Sequence, residues 1–131
     1  MKKSITLGKK ILLKDITSLN EVVKTYKVKP SETLNIEEYY IETNIPQYEN
    51  ISISILINGM SGIEINSNKN DSIPIILNKN MKFLFSAESN DLVSIELKQE
   101  KLVDVNTVSL ITDSTVEDLY IKIYFFGVIN D

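Results

Sequence analysis

Short stretches of alternating apolar and polar residues recur along the chain, and they constrain the fold more than any other feature of the sequence. The clearest is NISISILINGMSG, residues 50–62, in which four isoleucines occupy alternate positions before an Asn-Gly pair. Period-two alternation bounded by turn residues predicts half-buried strands. The pattern therefore predicts a hairpin whose isoleucines face a core. Its connection is expected to be the five residues 58–62, with Ile63 and Ile65 resuming the alternation.

The same alternation predicts strands elsewhere, over residues 22–28, 33–41, 73–77, 81–87, 92–98, 102–111 and 119–128. In the first of these, Val22, Tyr26 and Val28 share one face, and in the second Leu34, Ile36 and Tyr40 do so. Apolar residues at alternate positions pack against one side of a sheet. The predicted shared core comprises Ile53, Ile55, Phe83, Phe85, Ile95, Leu97, Ile121 and Ile123.

The N-terminal part of the sequence carries two competing patterns. Its apolar residues recur at intervals of four and three from Leu12 to Tyr26, which is helical spacing, and Ser18 with Glu21 matches a capping box. The β-branched residues and the alternation that begins at Val22 favour strands instead. We expect strands in this region.

Strands at intervals of about ten residues, with turn signals between them, are typical of a sandwich or barrel. The sequence has no internal repeat and no low-complexity linker, and 131 residues suit one domain with its own core. We therefore predict an all-β protein with residues 1–131 forming a single antiparallel β-sandwich, jelly-roll-like or immunoglobulin-like.

The composition argues against most chemistry. The chain has no histidine, cysteine, tryptophan or arginine, so it lacks the usual general base, any thiolate and the usual zinc ligands. Glu37 and Glu38 are adjacent on a predicted strand and should point to opposite faces, so they do not form a catalytic carboxylate pair. We expect a protein that is not an enzyme and that uses no cofactor.

Charge and hydropathy narrow the partners and the location. The net charge of -4, without arginine, argues against nucleic-acid binding. No apolar run approaches the length of a membrane span, and the only apolar run near the N-terminus is Ile11 to Leu13, too short for a signal peptide. We expect a protein made in the cytoplasm without a cleaved signal, with no membrane partner.

Two loops rich in Asn and Asp, residues 66–71 and 112–118, carry the oxygen ligands that calcium prefers. They lack the glycine and the distal glutamate of an EF-hand loop, and ordinary turn chemistry accounts for their composition. Asp113 or Ser114 would equally cap a short helical turn before the last strand. We expect no metal site.

Tyrosines offer a possible sugar-binding platform. Tyr39, Tyr40, Tyr120 and Tyr124 lie on predicted strands, and Tyr48 lies in a loop. Aromatic rings on strands also pack within and between sheets. Both interpretations remain open on the sequence, and the first supports a carbohydrate- or receptor-binding module as an alternative function.

The charges are distributed unevenly. Residues 1–14 contain five lysines and no acid, and residues 31–50 contain five glutamates and no lysine. Such an asymmetry suits a charge-steered contact. The hypothesis is that residues 1–14 form a basic arm that docks on an acidic surface, either residues 31–50 of a neighbouring copy or a particle subunit. The candidate interaction residues are Lys2, Lys3, Lys9, Lys10, Lys14, Glu32, Glu37, Glu38, Glu42 and Glu49.

The stretch YKVKPSETLNI, residues 26–36, resembles the strand–turn–strand of many phage and bacterial surface β-sandwich modules. In length, all-β patterning and lack of cysteine, the whole chain is similar to small accessory proteins of bacteriophage particles and phage-derived tail-like particles. The resemblance implies a structural role, such as capsid decoration or tail fitting, exercised through contacts with other protein subunits or with copies of itself. It implies no specific functional residues.

Overall fold

In a computed structural model, the chain forms two antiparallel sheets of four strands that pack against each other. The structure describes residues 1–45, 51–66, 73–100 and 119–131. The strands in this part of the chain are β1 (Lys2–Leu12), β2 (Asn20–Lys27), β3 (Thr33–Thr43), β4 (Ile51–Ile57), β5 (Met60–Ile65), β6 (Met81–Ala87), β7 (Leu92–Gln99) and β8 (Tyr120–Asn130). The all-β sandwich predicted from the alternation is confirmed.

The order of the strands is that of a jelly roll. Sheet A has the order β1-β8-β3-β6 and sheet B the order β2-β7-β4-β5. Strand β1 pairs with β8, β2 with β7, β3 with β6 and β4 with β5, so the pairs are nested around the β4–β5 turn. Nested pairs are what a long antiparallel hairpin gives when it is wound into two sheets. Of the two predicted topologies, the strand order supports the jelly roll.

The core lies between the sheets and contains all eight residues predicted for it. Each of those side chains is at most 9% exposed. Aromatic rings fill part of it: the Phe83 ring lies 5.6 Å from the rings of both Tyr39 and Phe125, measured between centroids. The Tyr39 hydroxyl donates to the Pro74 carbonyl at 3.2 Å, which satisfies its polar atom inside the core.

The β4–β5 hairpin confirms the strand prediction and corrects the predicted turn. The connection is two residues long, because β5 already begins at Met60. Asn58 and Gly59 have φ angles of 53° and 81°, and two positive φ values are what a type I′ turn requires. Gly62 lies inside β5, beside a register shift between Ile55 and Leu56, and does not end the turn.

Two β-bulges change which residues face the core. In β3 the ladder shifts between Ile36 and Glu38, so Tyr39 is fully buried and Tyr40 points outward. The prediction that Tyr40 shares a face with Leu34 and Ile36 is therefore wrong. An extra residue in one strand reverses the alternation beyond it.

A bulge in β2 has the same effect. The ladder with β7 shifts between Val22 and Lys24. Val23 is buried at 3% exposure, whereas Val22, which was predicted to face the core, is 52% exposed. The lysine that interrupted the predicted apolar face, Lys24, lies at this irregularity.

The N-terminal region is extended, as predicted, and not an α-helix. Between β1 and β2 there is one 3-10 turn, Leu13–Asp15. Glu21 does bond to Ser18, but in a loop: its Oε1 accepts from the backbone N–H groups of Thr17 and Ser18 at 3.1 and 3.2 Å. The predicted capping pair therefore stabilises the entry to β2.

Other predictions are modified or lie outside the described residues. The predicted strand 73–77 is reduced to two isolated bridges, Ile65 with Ile73 and Ile41 with Leu77. The predicted strand 102–111, Tyr48, residues 112–118 and most of the loop 66–71 lie outside the described residues. Within the described ranges, no helix has the length and hydropathy needed to span a membrane.

Candidate interaction surface

The basic and acidic segments singled out in the sequence lie in the same sheet. Residues 2–12 form β1, which is an edge strand of sheet A, and residues 33–43 form β3, with β8 between them. Strands two places apart in a sheet are separated by about 10 Å. Residues 1–14 therefore belong to the sandwich instead of projecting from it as an arm.

Four of the five candidate lysines line β1. Lys2, Lys3, Lys9 and Lys10 are all exposed, and Lys14 is exposed in the following 3-10 turn. Lys9 and Lys10 border a groove of about 260 Å³ between β1 and β2, whose rim also includes Asp15 and Glu21. This end of β1 thus carries both signs of charge.

The four candidate glutamates that the structure describes lie in different local settings. Glu32 lies in the turn before β3, where its carboxylate accepts from the Tyr26 hydroxyl at 3.3 Å and the Lys29 N–H at 3.2 Å. Glu37 is exposed at the β3 bulge. Glu38 accepts from the Asn80 amide at 3.2 Å, and Glu49 lies outside the described residues. The predicted acidic face is dispersed over a turn, a bulge and a strand.

Glu42 is the centre of a polar cluster on the outer face of sheet A. Its Oε1 accepts from the Tyr40 hydroxyl at 2.8 Å, and its Oε2 accepts from the Tyr120 hydroxyl at 2.6 Å. The Lys122 ammonium lies 3.4 Å from Oε2. The Lys10 ammonium lies 4.7 Å from the centre of the Tyr120 ring. These five side chains, from three neighbouring strands, are called the Glu42 cluster below.

The contacts of the cluster set its ionisation. The hydroxyl of Tyr120 above all, with that of Tyr40 and the Lys122 ammonium, lowers the pKa of Glu42 below its ordinary value. The same hydrogen bonds to the carboxylate raise the pKa of Tyr120 and of Tyr40. Glu42 is thus held ionised and both tyrosines neutral, which suits a structural tie across β1, β8 and β3.

The tyrosines divide between the core and this cluster. Tyr39 is buried and unavailable to a ligand. Tyr40 and Tyr124 are directly opposite each other on β3 and β8, and Tyr120 lies further along β8 on the same outer face. The Tyr120 ring is already contacted by Lys10 and both bonded hydroxyls are directed at Glu42. Within the described part of the chain, Tyr124 is the tyrosine of this face whose ring is not contacted by a lysine and whose hydroxyl is not bonded to Glu42.

The sequence analysis missed the Glu42 cluster as a unit. Tyr40 with Glu42, and Tyr120 with Lys122, are two residues apart, so each pair was readable as lying on one side of a strand. The register that places Glu42 opposite Lys122, and Lys122 opposite Lys10, depends on β8 inserting between β1 and β3. No local signal in the sequence specifies that insertion.

Metal ligands are sparse on the described surface. Among the described residues, no three acidic side chains converge in a way that would hold a metal ion.

Comparison with protein-family models, with curated proteins and with solved structures found no match to this chain in any of the three.

Proposed function

We propose that this protein is a non-enzymatic structural accessory of a bacteriophage or phage-derived tail-like particle, acting through contacts with other protein subunits. The observation that carries the proposal is the jelly-roll order of the two sheets. Jelly rolls recur in viral capsid domains and in lectins. A shared fold does not by itself specify function, so the presence of the chain in particles has to be measured directly.

The described surface supports recognition of another surface more than enclosure of a small substrate. Its strongest side-chain cluster, around Glu42, is satisfied by bonds within the chain. A second groove, of about 250 Å³, lies beside the β3 bulge and is rimmed by Leu84, a residue that is 86% exposed. A single exposed apolar side chain is ordinary on a protein surface, so Leu84 adds one candidate contact residue and not an apolar patch.

The test is to look for the chain in particles from the organism that encodes it. Phage or tail-like particles are purified by density gradient and analysed by quantitative mass spectrometry. We expect the chain at a fixed copy number relative to the major shell or tube subunit. Particles assembled without the gene should take up the purified protein to the same copy number. Absence of the chain from purified particles, with abundant chain in the cell lysate, would contradict the proposal.

A carbohydrate- or receptor-binding module is the second candidate, favoured by the aromatic side chains on the outer face of sheet A. Stacking of a sugar ring needs an accessible aromatic face, and Tyr124, on the central strand β8, is the best placed to offer one. Titration with a panel of glycans, for the parent and for Tyr124→Ala, tests this function. A saturable signal that the variant loses would support it, and no signal at millimolar glycan would reject it.

A further inference from the structure

Sheet edges differ in how well they could accept another strand, and β1 stands apart. It pairs with β8 through eleven consecutive residue pairs without a register shift. The other edge strands, β2, β5 and β6, each pair with their neighbour through a ladder that contains a shift. Bulges and short strands discourage pairing at an edge, whereas a long regular edge is a template for an added strand.

We propose that the outer edge of β1 is a docking site for an extended acidic segment of a different protein, which adds to sheet A beside β1. This inference rests on the proposed function, since it names the surface by which the accessory protein would join its partner. Strand addition of this kind takes its affinity from main-chain hydrogen bonds and its specificity from side chains on alternate positions.

Charge identifies the chemistry of the partner. Lys2 and Lys3 lie at one end of β1, and Lys9 and Lys10 lie near the other. Because neighbouring residues in a strand point to opposite sides, each end offers one lysine on each side of the sheet. The two pairs are seven positions apart, which is about 23 Å along an extended chain. Carboxylates at matching positions of an added strand would meet all four ammonium groups.

The same lysines argue against a second copy of the chain as the occupant. Antiparallel pairing of β1 with another β1, centred on Thr6, places Lys2 opposite Lys10 and Lys3 opposite Lys9. Like charges directly opposite each other destabilise a pair of strands. Lysines on an edge are a common device against self-association, so here they select against copies and for an acidic strand.

The acidic segment of a neighbouring copy is also unsuited to this role. Its central part forms β3, which is paired with β8 on one side and with β6 on the other. Neither edge of β3 is open to β1 of another molecule. Strand β3 of a neighbouring copy is thus closed to this role, and the partner strand that we propose comes from another protein.

The two ends of β1 should contribute unequally. Asp15 and Glu21 share the groove with Lys9 and Lys10 and offset part of their charge. Lys2 and Lys3 lie opposite Asn130 and Ile129, which are uncharged, and the adjacent Asp131 carboxylate is already paired with the Met1 amino group at 2.7 Å. We expect the carboxylates that face Lys2 and Lys3 to contribute most to the salt-sensitive part of binding.

The probe is a synthetic nine-residue peptide with two glutamates at each end and five alternating Thr and Val residues between, blocked at both termini, so that its glutamate pairs are seven positions apart like the lysine pairs of β1. Its symmetry allows either strand direction. The matched control peptide carries lysines in place of the glutamates, and a second control keeps the glutamates but has N-methylated interior amides. Backbone hydrogen exchange of the full chain is measured by NMR with each peptide, at low and high salt.

We expect the acidic peptide to slow exchange in residues 2–10 at least tenfold, and neither control to do so. The protection should weaken at 1 M salt, where screening acts within about 3 Å. Protection of β1 by the basic peptide as well, or by neither charged peptide, would overturn the proposal. Equal protection by the N-methylated peptide would overturn strand addition, because charge alone would then account for binding.

A charge-reversed chain provides an independent test. The variant K2E/K3E/K9E/K10E should prefer the basic peptide. The control K24E/K29E/K79E/K82E makes the same change in net charge at exposed lysines elsewhere and should retain the preference of the parent. Uptake by particles separates this inference from the proposed function. A K2E/K3E/K9E/K10E chain that joins particles as the parent does would overturn the β1 site and leave the proposed function standing.

Discussion

Replacement of Phe83 by alanine tests the sandwich core most directly. The Phe83 side chain is 4% exposed, and its ring lies 5.6 Å from the rings of Tyr39 and Phe125 and 6.5 Å from that of Phe85. Loss of a buried phenylalanine costs about 3–5 kcal/mol, from lost transfer energy and the cavity left behind. The upper half of that range is expected, because three aromatic neighbours lose a partner.

The change in melting temperature follows from the size of the chain. Unfolding entropy is about 2.1 cal/mol/K per residue near 60 °C, which for 131 residues is about 275 cal/mol/K. A loss of about 4–5 kcal/mol, the upper half of that range, then lowers the melting temperature by about 15–18 °C. Calorimetry measures the shift, and urea unfolding checks that the midpoint changes without a change in slope.

The matched control is the next residue in the same strand. Leu84 is 86% exposed on the opposite face of β6, so Leu84→Ala should change stability by less than about 0.5 kcal/mol. A Phe83→Ala protein that melts with the parent would refute the assignment of faces in β6. Equal losses for both variants would refute it too, since the argument depends on their opposite orientation.

Three further outcomes are expected. In Gly8→Ala, the added Cβ would lie 1.9 Å from the Ile123 carbonyl oxygen, so β1 and β8 must move apart there. The expected loss of stability is about 3 kcal/mol, which corresponds to about three weakened ladder hydrogen bonds. Gly59→Ala is the control, because a Cβ there meets nothing within 4 Å, and it should cost only about 1–2 kcal/mol for its positive φ. Chemical denaturation measures both losses of stability, and similar losses for the two variants would contradict the clash expected at Gly8. The pKa of Glu42 is lowered in the folded chain, so the unfolded state binds protons more readily. The contribution of Glu42 to the free energy of unfolding is therefore present above pH 4.5 and is lost as the pH falls through the lowered pKa. Glu42→Gln should flatten the decline in melting temperature between pH 5 and pH 3, and an unchanged profile would show that the cluster contributes nothing. Chelator should leave the melting temperature unchanged, whereas a rise of several degrees with millimolar calcium would reveal a bound ion through mass action.

The sequence alone determined the class of fold and most of the core. Alternation in the stretches around Ile53, Phe83 and Ile121 is a local property, since successive side chains of a strand point to opposite sides. The sequence could therefore assign the buried face of β6, β7 and β8. In β4 it assigned Ile51, Ile53 and Ile55 correctly, but Ser54 and Leu56 on the opposite face are buried as well. The Asn58-Gly59 pair likewise specified a hairpin, because positive φ angles are accessible to these residues.

Where local alternation failed, the cause was a bulge. One extra residue near Glu37 exchanged the faces of Tyr39 and Tyr40, and another near Val23 exposed Val22. A bulge leaves no signature in hydrophobic pattern beyond a single misplaced residue such as Lys24. Near a bulge, the hydrophobic pattern allows either of two neighbouring residues to face the core, and only packing against the opposite sheet selects one of them.

Only the tertiary structure decided the order of the strands, and with it the candidate surface. The insertion of β8 between β1 and β3 brought Lys10, Lys122 and Glu42 into one row. Lys10 and Lys122 are more than a hundred positions apart in the sequence. It also made β1 an edge of sheet A and enclosed β3 between β8 and β6, so that, among the described strands, β1 keeps one unpaired edge and β3 has none. Strand order depends on which long-range pairings together bury the most apolar surface, and that competition is decided by the whole chain and not by any one stretch of it.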